Sequence, residues 1–79
     1  MEQVKDLILT IAQSLVDHPE EVSVNVIEGE SSVMFELKVS KSDLGKVIGK
    51  QGGTADAIRS ILNAIAGKTR KRLTLEIVE

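Results

Sequence analysis

Hydrophobic residues recur through residues 4–16 with the spacing of one face of an α-helix. The intervals between them are three or four positions, which is the period of an amphipathic helix. The residues on this face are Val4, Leu7, Ile8, Ile11, Ala12 and Leu15. Asp17 and His18 follow, and Pro19 limits the helix because the residue before a proline avoids the helical backbone region. The pattern therefore predicts a first helix that ends before Pro19.

The two segments that follow alternate apolar and polar residues with the period of a β-strand. The first alternation covers residues 22–26, and the second covers residues 33–39 and includes Phe35, the only aromatic residue of the chain. Between them, residues 28–32 consist of glutamate, serine and Gly29, a composition that favours a tight turn. Two such runs joined by a short turn predict an antiparallel hairpin, with Phe35 on the side that faces the core.

The helical period returns after Ser40, where Leu44, Val47 and Ile48 share one face. Ser40 and Asp43 have the spacing of a capping box, in which two side chains bond the free amides at the start of a helix. The pattern predicts a short helix that ends at the glycine-rich break after Ile48.

A further helix is predicted to begin near Gly53 and Thr54 and to stop at Gly67, because glycine readily adopts the left-handed conformation that ends helices. The residues of its apolar face are Ala55, Ile58, Leu62 and Ile65. The residues of a final, strand-like alternation are Leu73, Leu75 and Ile77. The predicted order is α-β-β-α-α-β, which indicates an α+β two-layer fold with three helices on one face of a three-stranded sheet.

Length and composition narrow the class of protein. The 79 residues suffice for one compact domain, predicted to span residues 1–79, and leave little room for a deep enzymatic cleft. The chain lacks cysteine, which excludes disulfides and thiolate metal sites. Its apolar runs are far shorter than the roughly 20 residues that span a bilayer, and its acidic N-terminus is unlike a signal peptide. We therefore expect a cytoplasmic protein without a membrane segment.

Charge is distributed unevenly, although the net charge is only −2. Residues 1–37 hold one basic and eight acidic side chains, whereas residues 38–72 hold nine basic and two acidic side chains. Because the Debye length at physiological salt is about 8 Å, a polyanion senses the basic half locally. The asymmetry is compatible with nucleic-acid binding, but taken alone it fits an uneven solvated surface equally well.

The break between the two central helices, Gly49-Lys50-Gln51-Gly52, has the chemistry of a phosphate-binding loop. Gly49 and Gly52 lack a Cβ, so they can adopt positive φ and let another backbone approach closely. The helix that follows points its free amides and the positive end of its dipole at the loop, which suits an anion. Lys50 supplies an ammonium group for the same phosphate. We expect four apolar residues to form a shallow groove wall for unstacked bases: Val47, Ile48, Ala55 and Ile58.

The run Val47-Ile48-Gly49-Lys50-Gln51-Gly52, followed by Ala55 and Ile58, resembles the signature of the KH domain, whose GXXG loop clamps about four nucleotides of a single strand. The order of elements resembles the type II arrangement, which implies a mixed sheet with one parallel pair. Over essentially its whole length the chain is similar to the small bacterial KH proteins of the KhpA family. The resemblance implies a cytoplasmic protein that binds single-stranded RNA as a chaperone or post-transcriptional regulator. It also implies a homodimer, or a heterodimer with a larger KH protein of the KhpB (Jag) type.

The residues expected to contact RNA lie in and around the loop. They are Lys46, Val47, Ile48, Gly49, Lys50, Gln51, Gly52, Gly53, Thr54, Ile58 and Arg59. Two positions depart from the family pattern, since Gly53 stands where relatives often carry a basic residue and Asp56 places a carboxylate beside the loop. An acid there suits the helix dipole but repels phosphate. We therefore expect weak RNA binding that gains from a second domain or a second copy through avidity.

Other chemistry finds less support in the sequence. The basic residues of the C-terminal segment either contact RNA phosphates or complement the negative end of the preceding helix, and both possibilities stay open for Lys68, Arg70, Lys71 and Arg72. A nucleotide-binding P-loop requires four residues between its glycines and a Ser or Thr after the lysine, and both are missing. His18, the only histidine, is expected to be a surface residue at a helix end.

No nucleophile with a base, no metal-ligand set and no cofactor-binding loop can be assembled from these residues. We therefore expect neither enzymatic activity nor a cofactor, a metal or a small-molecule substrate. The main alternative function is a protein-interaction module, for dimerisation or as an adaptor, in which RNA binding is secondary. Because Phe35 is assigned to the core, the stacking platforms of other RNA-binding folds are also excluded.

Overall fold

The computed structural model describes residues 1–79 and contains three α-helices and one three-stranded sheet. The helices are α1 (Glu2–Leu15), α2 (Leu44–Ile48) and α3 (Gly53–Thr69), and the strands are β1 (Ser23–Glu28), β2 (Ser32–Lys38) and β3 (Arg72–Val78). Short 3-10 turns cover Pro19–Glu21, Lys41–Asp43 and Lys50–Gly52. The α+β class and the element order predicted from the sequence are confirmed.

The sheet has the strand order β1-β2-β3, with β2 in the centre. Strands β1 and β2 are antiparallel and form the predicted hairpin, in which the Gly29 amide donates to the Ser32 carbonyl oxygen at 2.7 Å. Strand β3 pairs with β2 in parallel, as Val33↔Leu73 and Leu37↔Ile77 show. The sheet is therefore mixed, as the type II KH resemblance implied, and β1 and β3 are its two edges.

One cluster of 13 buried residues forms the core between the helices and the sheet. Its members are Ile8, Ala12, Val22, Val24, Val33, Phe35, Leu37, Val39, Val47, Ile58, Leu62, Leu73 and Leu75. Phe35 is fully buried, which confirms its assignment to the core. The alternate strand residues, such as Asn25, Lys38 and Thr74, are exposed on the opposite face of the sheet.

The predicted capping box at Ser40 and Asp43 is wrong. The Ser40 hydroxyl lies 3.1 Å from the Ser42 hydroxyl, and no side chain caps the 3-10 turn or α2. The Asp43 carboxylate instead accepts hydrogen bonds from the backbone amides of Asp17 and His18. These two amides follow the end of α1 and have no carbonyl partner, so a buried carboxylate satisfies them and is satisfied in return.

The predicted helix stop at Gly67 is also wrong, because α3 runs through Gly67 to Thr69. Arg70 ends the helix in a left-handed conformation, with φ 60° and ψ 25°, and its amide bonds the Ala66 carbonyl oxygen at 2.9 Å. The Thr69 hydroxyl accepts the Lys71 amide at 3.4 Å. The chain therefore leaves the helix at Arg70, three residues after the helix stop that was predicted at Gly67.

The connection between the parallel strands β2 and β3 positions the candidate site. It consists of α2, the loop Gly49–Gly52 and α3, and it brings the chain from the end of β2 back to the start of β3. α3 packs against β3, and α2 packs against α3. The loop therefore sits at the turning point of this connection, between two helices that are both anchored in the core.

Candidate nucleic-acid interface

The loop Gly49–Gly52 has the backbone that its two glycines predict. Gly49 has φ 80° and ψ 169°, and Gly52 has φ 76° and ψ 10°. Gln51 between them also has a positive φ, of 56°, which is uncommon for a residue with a side chain. A Cβ on Gly49 would lie only 2.7 Å from both the amide nitrogen and the Cβ of Thr54. The absence of a side chain at Gly49 is thus what allows the loop to touch the start of α3.

The start of α3 is open to an anion. Its N-cap is Gly52, and no side chain caps it. The Gly53 amide donates to the Lys50 carbonyl oxygen, so the first-turn amides that follow Gly53 are the ones left for an external acceptor. Gly53 is exposed and Thr54 is half-buried against Gly49. Lys50 is exposed and forms no ion pair, unlike the other two basic residues of the predicted site. The amides and the free ammonium group create positive potential at one exposed bend.

Lys46 and Arg59, the other basic residues of the predicted site, both have acidic partners. The Lys46 ammonium lies 3.2 Å from a carboxylate oxygen of Asp17, and the Arg59 guanidinium lies 3.6 Å from one of Asp56. Both pairs are exposed, so each contributes little to stability and can be exchanged for a phosphate. Asp56 also approaches the loop, since a Cβ on Gly52 would lie 3.9 Å from its carboxylate. Asp56, the acidic residue expected from the sequence to repel RNA phosphate, therefore lies next to the loop.

The expected groove wall is only partly available. Val47 is completely buried, and Ala55 and Ile58 are each 3% exposed, whereas Ile48 is 40% exposed. Val47 and Ile58 belong to the core cluster, because the helical faces that carry them pack α2 and α3 onto the sheet, and Ala55 is buried as well. The side chains of Val47 and Ile58 are therefore enclosed in the core, and their contact with RNA stays a prediction. Ile48 is the apolar side chain that remains accessible next to the loop.

A cleft of about 320 Å³ lies between α3 and the free edge of β3. It is lined by Arg59, Asn63, Leu73, Thr74 and Leu75. The Arg59 guanidinium donates to the Leu75 carbonyl oxygen at 3.3 Å, so it occupies a backbone acceptor that the edge strand leaves unpaired. Of these residues, the sequence pointed only to Arg59 as an RNA contact. Asn63 could have been recognised from its spacing, because it lies one helical turn after Arg59. The part played by the β3 edge could not, because it depends on the order of the strands in the sheet.

The C-terminal basic residues lie at the other end of α3 from the loop. The helix has 17 residues, which corresponds to a length of about 25 Å. The Lys71 ammonium lies 3.1 Å from a Glu28 carboxylate oxygen and 3.4 Å from the Gly29 carbonyl oxygen, so it is engaged by the β1–β2 hairpin. Lys68, Arg70 and Arg72 are exposed. This segment is too far away to hold the same phosphate as Lys50.

A buried acidic group joins α1 to α2 behind the loop. The Asp43 carboxylate, 1% exposed, accepts the Asp17 amide at 3.2 Å and the His18 amide at 3.0 Å. The His18 ring nitrogen Nδ1 is 3.2 Å from the same carboxylate, and the Lys46 ammonium is 3.9 Å from it. Burial by itself raises the pKa of Asp43, but the hydrogen bonds and the positive field of His18 outweigh it, so the pKa lies below its ordinary value. The His18 side chain is 45% exposed just after the end of α1, as the sequence predicted, and it is in addition a bonding partner of Asp43.

No group of three or more His, Cys, Asp or Glu side chains is placed to hold a metal ion. None of the three helices combines the length and the apolar character needed to cross a bilayer. All buried side-chain nitrogen and oxygen atoms have hydrogen-bond partners. The chemistry at the loop is therefore that of amides, one free ammonium group and two exposed ion pairs.

Comparison with known proteins agrees with this geometry. The model of the KhpA/KhpB KH domain matches residues 5–77. The RNA-binding protein KhpA of Clostridium acetobutylicum is 54% identical over 74 residues, which cover 94% of this chain and 99% of the relative. The RNA-binding protein KhpA of Aquifex aeolicus is 51% identical over 79 residues, and both chains are covered completely.

The RNA-binding protein KhpA of Borreliella burgdorferi is 54% identical over 74 residues, which cover 94% of this chain and 90% of the relative. No solved structure matches the chain. The family match covers the loop, both flanking helices and all three strands. The chain therefore belongs to the KhpA/KhpB family of KH domains.

Proposed function

We propose that this chain is a non-enzymatic RNA-binding protein of the cytoplasm that holds single-stranded RNA at the loop Gly49–Gly52. The RNA phosphate is bound by the first-turn amides of α3 that follow Gly53, whose own amide bonds the Lys50 carbonyl oxygen, and by the Lys50 ammonium group. Relatives that are about half identical over nearly the whole chain are named RNA-binding proteins, which supports this function. A role as an RNA chaperone or post-transcriptional regulator follows from binding with low sequence specificity.

One observation carries the proposal, namely an exposed, uncapped helix N-terminus at a two-glycine bend next to an unpaired lysine. Phosphate groups bind at such helix ends because the amides and the dipole both favour an anion. Low specificity is supported by the absence of an exposed aromatic ring on which bases could stack, since Phe35, the only aromatic residue, is fully buried. Recognition therefore relies on the sugar-phosphate backbone and on aliphatic contact with Ile48.

The test replaces Lys50 and Gln51 together with aspartate. Aspartate tolerates the left-handed conformation of Gln51, so the double variant should fold. Its affinity for a fluorescent single-stranded RNA oligonucleotide, measured by anisotropy, should fall by at least about tenfold. The slope of log affinity against log salt should become shallower by about 0.7, because one phosphate contact is lost.

The matched control is Lys38→Glu with Gln13→Glu. Both residues are exposed, Lys38 on the helix-free face of the sheet and Gln13 on α1. The control changes the net charge by the same amount as the double aspartate variant, so it measures the nonspecific effect of charge. RNA affinity that is equal in the two folded double variants would refute the loop as the binding site.

A second candidate function is contact with another protein, either a second copy or a KH protein of the KhpB type. It is favoured by large apolar side chains that are 40–49% exposed. They are Leu7, Leu15, Ile27, Ile48 and Ile61. Multi-angle light scattering with and without RNA distinguishes the two functions. A protein that stays monomeric at all concentrations and binds RNA would refute the homodimer.

A further inference from the structure

Asp43 is the only charged residue that the fold buries, and no step of RNA binding described above uses it. A buried carboxylate is unfavourable unless hydrogen bonds compensate for the lost water. Here the hydrogen bonds come from His18 and Asp17, which are 25 and 26 residues away in sequence, and the Lys46 ammonium lies 3.9 Å from the carboxylate. The Asp43 carboxylate therefore does not cap the start of α2. It connects the end of α1 to the start of α2 instead.

The loop depends on α2 for its position. α2 has only five residues, which is too short for a helix to be stable without tertiary contacts. Its fixed points are the Asp43 bridge at its start, Val47 in the core, and the contact of Gly49 with Thr54 at its end. Five residues correspond to about 7.5 Å of helix, so a shift at Asp43 is transmitted directly to the loop.

We propose that Asp43 is a positioning residue for RNA binding, which holds α2 and the loop Gly49–Gly52 in the geometry that accepts a phosphate. The proposal rests on the function proposed above. Asp43 does not touch RNA, because its carboxylate is buried and accepts hydrogen bonds from the residues that follow α1. It acts by raising the fraction of molecules in which the loop is ready to bind.

The sign of the effect separates positioning from simple electrostatics. Asp43→Asn removes a negative charge from the vicinity of the loop, so Coulomb attraction alone predicts tighter RNA binding. Positioning predicts weaker binding, because an amide group places a donor opposite one of the amides of Asp17 and His18. If the variant leaves one loop in ten in the binding geometry, the apparent Kd rises about tenfold.

The experiment compares Asp43→Asn with Val24→Ala, a core variant in β1 on the sheet edge opposite β3. Urea unfolding first identifies conditions in which both variants are folded. RNA affinity is then measured there across a salt series, and amide hydrogen exchange of residues 49–52 is measured by NMR. We expect Asp43→Asn alone to bind RNA about tenfold more weakly, with an unchanged salt slope and faster exchange in the loop. His18→Ala removes the ring contact but keeps the hydrogen bonds from the backbone amides of Asp17 and His18 to Asp43. It should weaken RNA binding by about twofold, and it replaces Asp43→Asn as the test variant if Asp43→Asn does not fold.

Tighter or unchanged binding by folded Asp43→Asn would overturn the proposal, and so would an equal loss in Val24→Ala, which would indicate general destabilisation. A salt slope shallower by about 0.7 would also overturn it, because it would indicate a lost phosphate contact. If the wild-type protein binds no RNA, the proposed function fails separately. In that case loop exchange still decides whether Asp43 orders the loop, since unchanged exchange in Asp43→Asn refutes that role.

Discussion

Gly49→Ala provides the most direct test of the loop backbone. Gly49 has φ 80° and ψ 169°, a region that is essentially restricted to glycine. An alanine there incurs backbone strain of about 1–3 kcal/mol. Its methyl group would also lie 2.7 Å from the amide nitrogen of Thr54, and this backbone atom cannot move without moving α3. Overpacking of this kind costs about 1–3 kcal/mol more.

Together these terms predict a loss of about 2–6 kcal/mol in the free energy of unfolding. The total free energy of unfolding of a chain of 79 residues is typically about 4–12 kcal/mol. The lower bound alone lowers the melting temperature by roughly 8 °C or more for a domain of this size. Gly49→Ala is therefore expected to be marginally folded, and urea unfolding followed by circular dichroism measures the change.

Gly53→Ala is the matched control, four residues later in the same segment. Gly53 has helical dihedral angles, φ −63° and ψ −39°, and a Cβ there would meet no atom within 4 Å. Alanine at such a position stabilises by about 0.4–1 kcal/mol, because it restricts the unfolded chain. The two substitutions are chemically identical and should have opposite signs. Equal urea midpoints for Gly49→Ala and Gly53→Ala would refute the left-handed bend at Gly49.

Three further outcomes are expected. Arg70→Gly should raise the melting temperature by a few degrees, as measured by differential scanning calorimetry. Glycine relieves left-handed backbone strain of about 1–2 kcal/mol at this position, and its greater backbone entropy in the unfolded chain offsets part of that gain. The folded-state pKa of Asp43 is lowered, so its stabilisation is complete above about pH 4 and is lost as the pH falls through that lowered value. The difference in urea midpoint between the wild type and Asp43→Asn should therefore decrease as the pH is lowered from about pH 7 to about pH 3. The wild-type salt slope for RNA should lie near −0.7 if Lys50 alone meets phosphate, and near −2 if Lys46 and Arg59 also leave their acidic partners.

The features that were predictable from sequence are those that local chemistry determines. Strand alternation predicted the hairpin, and paired glycines predicted the left-handed backbone at Gly49 and Gly52. The burial of Val47 and Ile58 was detectable too, because both lie on the apolar stripes that defined their helices. Because these two side chains pack into the core, the groove wall expected from the sequence is only partly available.

The contacts that escaped prediction join residues far apart in the chain. The bonds from Asp17 and His18 to Asp43 cross 26 and 25 positions, respectively, and no spacing rule relates these residues. The contact between Arg59 and the Leu75 carbonyl oxygen depends on β3 being an edge strand, which the order of elements alone does not fix. Local patterns also favoured a capping role for Asp43. The tertiary alternative prevailed because two post-helical amides required an acceptor.

The ion pairs at the loop explain why one copy of this chain should bind RNA weakly. Of the three basic residues near the loop, only Lys50 has no acidic partner. A phosphate that displaces Asp17 from Lys46, or Asp56 from Arg59, leaves a carboxylate behind, so much of the gain is offset by repulsion. Added affinity must then come from further loops acting on the same strand, where the second binding event is intramolecular. We propose that exposed apolar side chains contribute to such pairing, which would connect the protein-contact function to RNA binding instead of setting the two in competition.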